Sequence, residues 1–352
     1  STIRDRLLPR FTRKAFRVCF GIKTRTMASS DTSAAVSLLS DQCLTFLLHN
    51  GTVRGRLVRL DRALAEILDR HAYPAPVARL VAETATLAVV LAFAMKFDGV
   101  FTLQAQGDGP VRMLVADVTS DGDLRAYASF DADAVAALEH RSSHQDARSG
   151  MSEASLQHLL GAGTLVFTVD LAGTMAGANN RYQGIVPMED ATLSECIHRY
   201  FRQSEQLETA VKITTAPQAG RDTAWRAGAV MLQRMPRTPD EHRTDEELDE
   251  LWRTAVVLLG SLTNAELLNP ELADGELLYR LFHQEELTVA SEQRGLHFGC
   301  RCSRERVETT LRNFAAEDRA DMVQDDGTIS VQCQFCSTEY VFTPAELGHL
   351  HS

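Results

Sequence analysis

VFTLQAQGDGPVRMLVADVTSDGDLRAYASF, Val100–Phe130, is the stretch whose reading decides the fold. Apolar and polar residues alternate through three runs, separated by the turn residues Gly107-Asp108-Gly109-Pro110 and Ser120-Asp121-Gly122-Asp123. Period-two alternation marks half-buried strands, so three antiparallel strands are expected. Upstream, a helix is expected after Pro76, running through Val77, Leu80, Val81, Leu87, Val90, Leu91 and Ala94 to about Phe97. It is apolar on more than one face and reads as a central, buried helix. Before it, Leu44–Leu60 (LTFLLHNGTVRGRLVRL) reads as strand, turn at Asn50-Gly51, strand, with Asp61 placed to cap a helix through about Ala72. Downstream, the polar segment Asp131–Gly150 reads as a mobile loop, Thr164–Leu171 as a strand, and a Gly/Asn-rich loop leads to Arg181–Pro187. A helix from about Leu193 to Leu207, a strand over Val211–Thr215 and a short helix over Trp225–Met235 follow. Strands and helices mixed without regular βαβ alternation predict an α+β fold rather than a doubly wound sheet, ending near Pro236–Pro239.

The chain has 352 residues, which at about 150 per domain predicts two domains and a small third module. Its 44% hydrophobic and 24% charged content excludes a wholly disordered, collagen-like or disulfide-scaffold protein. The longest apolar run, Thr84–Met95, falls short of the roughly 20 residues a membrane span needs. Net charge is −11, unevenly spread. Residues 1–26 hold eight Lys/Arg and one acid, Asp5, so the remainder, with 28 basic and 46 acidic residues, carries −18. Such a body repels nucleic acid and anionic membranes, and neither is expected as a partner. The Arg-rich start fits a mitochondrial-type presequence, an upstream mis-start or a disordered basic tail. It is read as an appendage outside the fold, and no signal-peptide pattern is present.

Beyond the core the chain changes character. Asp240–Glu250 contains seven acids and one Arg. Thr244 with Glu247 fits a capping box, and Leu248, Leu251, Trp252, Ala255, Leu258, Leu259 and Leu262 then keep helical spacing. Thr263 with Glu266, and Asp274 ahead of Leu277, Leu278, Leu281 and Phe282, open further short helices. These amphipathic helices need a surface to dock on, either as a fixed linker or as one whose docking can be undone.

Cys19, Cys43 and Cys196 stand alone, whereas Cys300-Arg-Cys302 and Cys333-Gln-Phe-Cys336 form two tight pairs with 30 residues between them. Two thiolate pairs on separate segments supply the tetrahedral ligand set of a structural zinc ion, one per chain. Between them a helix over Arg304–Phe314, a second short helix and a strand ending at Cys333 are expected. A segment of this size has little core, so metal binding, with apparent free energies of roughly 10–16 kcal/mol, would supply much of its stability. A static zinc ribbon satisfies the spacing. So does a switch, in which the close thiols of a pair join as a disulfide and no longer ligate metal. Cys43 and Cys196 read as small buried apolar residues rather than nucleophiles.

CRCSRERV (300–307) followed by CQFC (333–336) resembles the zinc-binding redox switch of the thirty-three-kilodalton heat-shock chaperonin family, the redox-regulated holdases. FTLQAQGDGPVRMLVAD (101–117), RYQGIVP (181–187), YFRQSEQLE (200–208), AGAVMLQRMP (227–236) and LLYRLFHQEELTV (277–289) match the same pattern in order, from about residue 40 to the C-terminus. Glu208 stands where that family usually shows proline, and residues 1–26 have no counterpart. The resemblance implies a cytosolic, ATP-independent chaperone, not an enzyme, inactive when reduced and zinc-bound through Cys300, Cys302, Cys333 and Cys336. It further implies that oxidation pairs Cys300 with Cys302 and Cys333 with Cys336, frees the zinc, unfolds switch and linker, exposes surface for unfolding client proteins and yields a homodimer. The expected division is an N-terminal extension over 1–26, an α+β chaperone core over 27–238, a helical linker over 239–290 and a zinc-binding redox-switch domain over 291–352. Leu248, Leu251, Trp252, Leu258 and Leu259 are the expected client-binding residues.

Other readings have less support. A nucleic-acid-binding zinc module wants a basic face. A thiol–disulfide oxidoreductase would place its CxxC in a βαβ context, and here CxxC follows a late strand. Gly107-Asp108-Gly109 lacks the GK[ST] of a phosphate loop, and His283 with Glu285 and Glu286 lacks HExxH spacing.

Overall fold

The computed structural model describes residues 41–95, 97–149, 156–171, 181–202, 207–218, 225–239 and 241–348. The basic segment 1–26 with Cys19, the Gly/Asn-rich stretch 172–180 and the 203–206 part of the helix expected to reach Leu207 lie outside them.

The three strands expected in the opening stretch form as β3 (Gly99–Gly107), β4 (Val111–Thr119) and β5 (Asp123–Phe130). With β6 (Gly163–Leu171) and β7 (Arg181–Pro187) they make an antiparallel sheet in the order β5-β4-β3-β6-β7. A second antiparallel sheet is built on the hairpin of β1 (Gln42–Leu48) and β2 (Val53–Leu60), with β8 (Thr209–Pro217), β9 (Trp225–Arg234) and β10 (Thr288–Gly295), ordered β10-β1-β2-β9-β8. After α1 (Arg62–Leu68), α2 (Ala75–Ala92) lies between the two sheets and touches strands of both. By length and composition α2 could cross a membrane, but 78% of it is buried in the protein, and its apolar surface is satisfied by the strands around it. The α+β architecture stands.

Three local expectations are corrected. Trp225–Met235 is not a helix but forms the interior strand β9, between β2 and β8. Its apolar residues alternate between two interiors: Trp225, Ala227 and Met231 join the core around α2, while Val230 and Leu232 join a second core on the other face. A strand buried on both faces reads as a continuous apolar run, which periodicity does not separate from a buried helix. Asp131–Gly150 is largely the helix α3 (Ala132–Ser149) rather than a loop. The Asp131 carboxylate accepts the Ala134 N–H at 3.0 Å, and Ala132, Ala134, Ala136 and Ala137 supply propensity, while Val135 is the fully buried anchor. Asp61 does not cap α1 with its side chain; Asp41 does, accepting the N–H groups of Asp61 and Arg62 at 2.8 and 3.1 Å. Asp61 instead accepts from Arg226 and Gln218.

The short helices α4 (Leu156–Leu160) and α5 (Leu193–Tyr200) complete the first core. The second core lies on the outer face of the β1/β2/β9 sheet, where Leu44, Phe46, Leu48, Val53, Leu57, Val230 and Leu232 would otherwise meet water. It is closed by α6 (Asp245–Ser261), α7 (Asn264–Leu267) and α8 (Asp274–Phe282), the expected linker helices. Both expected capping boxes, Thr244/Glu247 and Thr263/Glu266, are formed. The chain then returns to the sheet as β10, so the boundary expected between 290 and 291 falls within a strand paired with β1. Gly122, with φ +98°, lets the carbonyl of Gly295 approach so closely that a Cβ there would lie 2.1 Å from it. At this crossing the chain leaves one sheet and enters the other as β11 (His297–Phe298), parallel to β5.

Candidate metal centre

Cys300 and Cys302 follow β11, and Ser303 caps the next helix, α9 (Arg304–Arg312), by accepting the Arg306 N–H. After α10 (Ala316–Asp321), the hairpin of β12 (Ile329–Gln332) and β13 (Glu339–Phe342) carries Cys333 and Cys336 in its turn. That turn is closed by Cys333 N–H to Thr338 O at 2.9 Å and Ser337 N–H to Cys333 O at 2.8 Å, with Ser337 at φ +57°. Leu311, Ile329, Phe342 and Leu347 are the buried apolar core of this module, too few to hold it together unaided.

All four cysteines are free thiols, and their sulfurs lie within 4.8 Å of one another. Cys300 Sγ is 3.4 Å from Cys302 Sγ and 3.7 Å from Cys333 Sγ, and Cys302 Sγ is 3.3 Å from Cys336 Sγ. Four thiolates about 2.3 Å from a tetrahedral ion stand about 3.8 Å apart, so this donor set fits a metal ion of zinc's size and softness. The surroundings suit anionic sulfur. Tyr340 donates its hydroxyl to Cys302 Sγ at 3.1 Å, and the Thr338 hydroxyl lies 3.1 Å from Cys336 Sγ. Burial pushes all three of Cys302, Cys333 and Cys336 up, and the Cys302 thiol reaches about 12. At Cys336 burial is outweighed by the Thr338 hydroxyl and N–H and by the neighbouring sulfurs, which bring it down to about 6. A divalent cation bound by the four sulfurs would favour their thiolate forms.

The module sits on the core. Arg70 donates to Cys336 O at 3.3 Å and accepts from Ser337 Oγ at 2.9 Å through its own carbonyl, and its guanidinium lies 4.1 Å from the Phe298 ring centre. Arg125 of β5 reaches Cys300 Sγ at 3.7 Å and stacks 3.9 Å from the centre of Phe335. Sequence reasoning missed these contacts, because they join residues up to 267 positions apart with no local pattern.

The expected client-binding residues all lie on α6. Leu248 and Leu259 are buried, Leu251, Trp252 and Leu258 are half-buried, and Trp252, Leu258 and Leu259 join the core on the sheet's outer face. Polar contacts missed by the sequence reading reinforce this dock. Arg59 of β2, 2% exposed, meets Asp274 Oδ1 at 3.0 Å and donates to the carbonyls of Leu272 and Glu266 at 2.5 and 3.0 Å. Gln42 donates to Asp274 Oδ2 at 2.6 Å, Arg234 meets Asp249 at 2.6 Å, and His49 Nε2 lies 2.9 Å from Glu285 Oε2. Cys43 and Cys196 are buried in the core, and burial pushes both thiols up, Cys43 to about 12. That suits inert apolar filling.

Comparison with known proteins gives one consistent result. The model of the family described as Hsp33 protein matches residues 41–343. The 33 kDa chaperonin of Caulobacter vibrioides (strain NA1000 / CB15N) is 36% identical over 316 residues, covering 90% of this chain and 99% of the relative. That of Pseudomonas fluorescens (strain SBW25) is 36% identical over 306 residues, covering 87% and 91%. The crystal structure of the 33 kDa chaperonin, a heat shock protein 33 homolog, from Thermotoga maritima superposes with a TM-score of 0.67 at 22% identity, covering 87% of this chain and 96% of that one. At that identity it speaks for the fold.

Proposed function

The chain belongs to the Hsp33 family, the 33 kDa chaperonins, and from that premise we propose that it is an ATP-independent holdase switched on by oxidation of its four-cysteine centre. The observation that carries this reading is the cluster itself: four free thiols at metal-holding distances, in a module with four buried core residues of its own among the described residues. Zinc bound by Cys300, Cys302, Cys333 and Cys336 supplies the cross-link that such a small core lacks. Peroxide converts each pair to a disulfide: two thiolates give up two electrons, the peroxide takes them with two protons, and two waters leave. Sulfurs joined as Cys300–Cys302 and Cys333–Cys336 no longer ligate as thiolates, so the module loses its main support.

The linker transmits the change. Residues 239–290 lie between the core and the switch over 291–352, and β10, paired with β1, spans the join. When the module unfolds, α6–α8 lose their anchor on that side. Their withdrawal uncovers Leu44, Phe46, Leu57 and Val230 on the sheet, and Leu248, Leu251, Trp252, Leu258 and Leu259 on the linker. Exposed apolar surface of this kind captures unfolding clients and permits pairing of two activated chains as a homodimer. No nucleotide and no catalytic cycle enter this scheme. A cytoplasmic setting, where thiols are kept reduced until stress, suits it. The acidic body suits protein clients rather than nucleic acid or membrane.

The test is suppression of aggregation of a thermally unfolding client without ATP, before and after peroxide with mild heat. Activity that appears only after oxidation supports the proposal. Equal activity in both states favours a static zinc ribbon, and reduction of insulin disulfides a thiol–disulfide oxidoreductase.

A further inference from the structure

The buried carboxylate of Asp117, on β4, gathers three partners. Thr102 of β3 donates to Oδ1 at 2.6 Å, and Arg125, directly opposite on β5, donates to Oδ2 through Nε at 2.8 Å and Nη2 at 2.6 Å. The third partner is Arg301, which donates to the same Oδ2 at 2.5 Å and is the residue between the two cysteines of the CxC pair. Arg125 has Nη1 left over, and it points at Cys300 Sγ, 3.7 Å away. The face of the same guanidinium covers Phe335, which stands between Cys333 and Cys336. One carboxylate and one guanidinium of the core sheet thus touch both metal-chelating turns.

Asp117, Arg125 and Arg301 together carry one net positive charge in a part-buried site. Four thiolates around a divalent ion would carry two net negative charges and more than offset it. Sulfurs that have lost their charge do not.

We propose that Asp117 and Arg125 are positioning residues for the metal centre, which makes the chaperone core part of the sensor. The core's guanidinium, set against Cys300 Sγ and Phe335, favours the charged, metal-holding cluster, and that cluster in turn holds the module on the core. Linkage requires the two effects to be reciprocal. This inference rests on the metal-centre reading above and adds the core's part in it.

The experiment uses the full chain in reductant and follows zinc transfer to excess 4-(2-pyridylazo)resorcinol. Arg125→Met keeps the stem that packs on Phe335 and removes the charge; Arg125→Lys keeps the charge. Zinc transfer about tenfold faster than the parent in Arg125→Met, with at least half of the loss restored in Arg125→Lys, is the expected result. Transfer within about twofold of the parent in Arg125→Met, or no rescue by Lys, overturns the proposal. The reciprocal arm needs no substitution. The N–H groups of His297 and Gly299 are bonded to Gly122 O and Leu124 O of the core at 3.1 and 3.0 Å, so their exchange reports docking. Chelation of zinc from the parent should speed their exchange at least tenfold, and unchanged exchange overturns the proposal even where Arg125→Met fails to fold. A parent that holds no zinc would instead refute the metal-centre reading itself.

Discussion

Asp274→Asn removes the carboxylate facing Arg59 while keeping the side chain's shape. Arg59 is 2% exposed on β2, and its guanidinium would remain in the dock with the carbonyls of Leu272 and Glu266 as partners. Removing one member of a buried ion pair costs about 3–5 kcal/mol, and the two surviving hydrogen bonds place this case at the low end, ~3 kcal/mol. The cost falls on the linker-docked state, because Asp274, Leu272 and Glu266 all belong to the linker and Arg59 regains water once it withdraws. At about 1.4 kcal/mol per decade, the undocked population should rise about 100-fold. Amide exchange of the reduced protein reads this directly: exchange in α7 and α8 should accelerate by roughly that factor, while β3 and β4 stay as protected as in the parent. Exchange in α8 within about threefold of the parent would refute the reasoning and show that the apolar contacts alone hold the linker.

Other consequences are equally open to measurement. A Cβ on Gly228 of β9 would lie 2.8 Å from Leu267 Cγ, so Gly228→Val should lift the linker from the sheet and give client-binding activity in reductant, where none is expected of the parent. Leu259→Ala, at a buried position of α6, should lower linker stability by about 2–5 kcal/mol in urea titrations followed by Trp252 emission in a Trp225→Phe background, whereas Val257→Ser, at a position 71% exposed, should not. Burial holds the His49 imidazole below its ordinary 6.5, with Glu285 and Glu286 opposing and Arg243 assisting. Its neutral form therefore stabilises the fold fully above about pH 6.5, and that contribution is lost as pH falls toward the lowered folded-state value. The linker should loosen on acidification, and His49→Gln should flatten the dependence of Trp252 emission on pH. Reduced protein should carry one zinc per chain, and Cys300→Ser/Cys302→Ser should carry far less by metal-release titration.

The parts of the fold legible in the sequence are those with a local signature. Strands β3–β5 announce themselves by alternation and Gly-rich turns, α2 by its apolar length, and α6 and α7 by capping boxes that the structure forms as expected. Misread elements lack that signature. β9 is apolar on both faces because one side meets α2 and the other the linker, and α3 is fixed by little more than Val135 and an Asp131 cap. The site divides the same way. Two cysteine pairs at chelating spacing give a ligand set without knowledge of the fold, and the fold adds the closeness of the four sulfurs to one another. Asp117, Arg125 and Arg59 look like ordinary strand residues in the sequence; they acquire meaning only when folding sets them against Arg301, Cys300 and Asp274.

In the proposed function the reduced cysteine centre keeps the module folded, the module keeps the linker docked, and losing the ligand set is the trigger. Client aggregation measured in excess dithiothreitol with Cys333→Ser/Cys336→Ser, its zinc content assayed in the same sample, tests this most directly. Half of a metal-binding free energy of roughly 10–16 kcal/mol exceeds what so small a core supplies by itself. The expected result is therefore a zinc-poor protein that suppresses aggregation without oxidant, short of the fully oxidised parent. A zinc-free double variant as inert as the reduced parent would contradict it, and would move the trigger to disulfide formation itself.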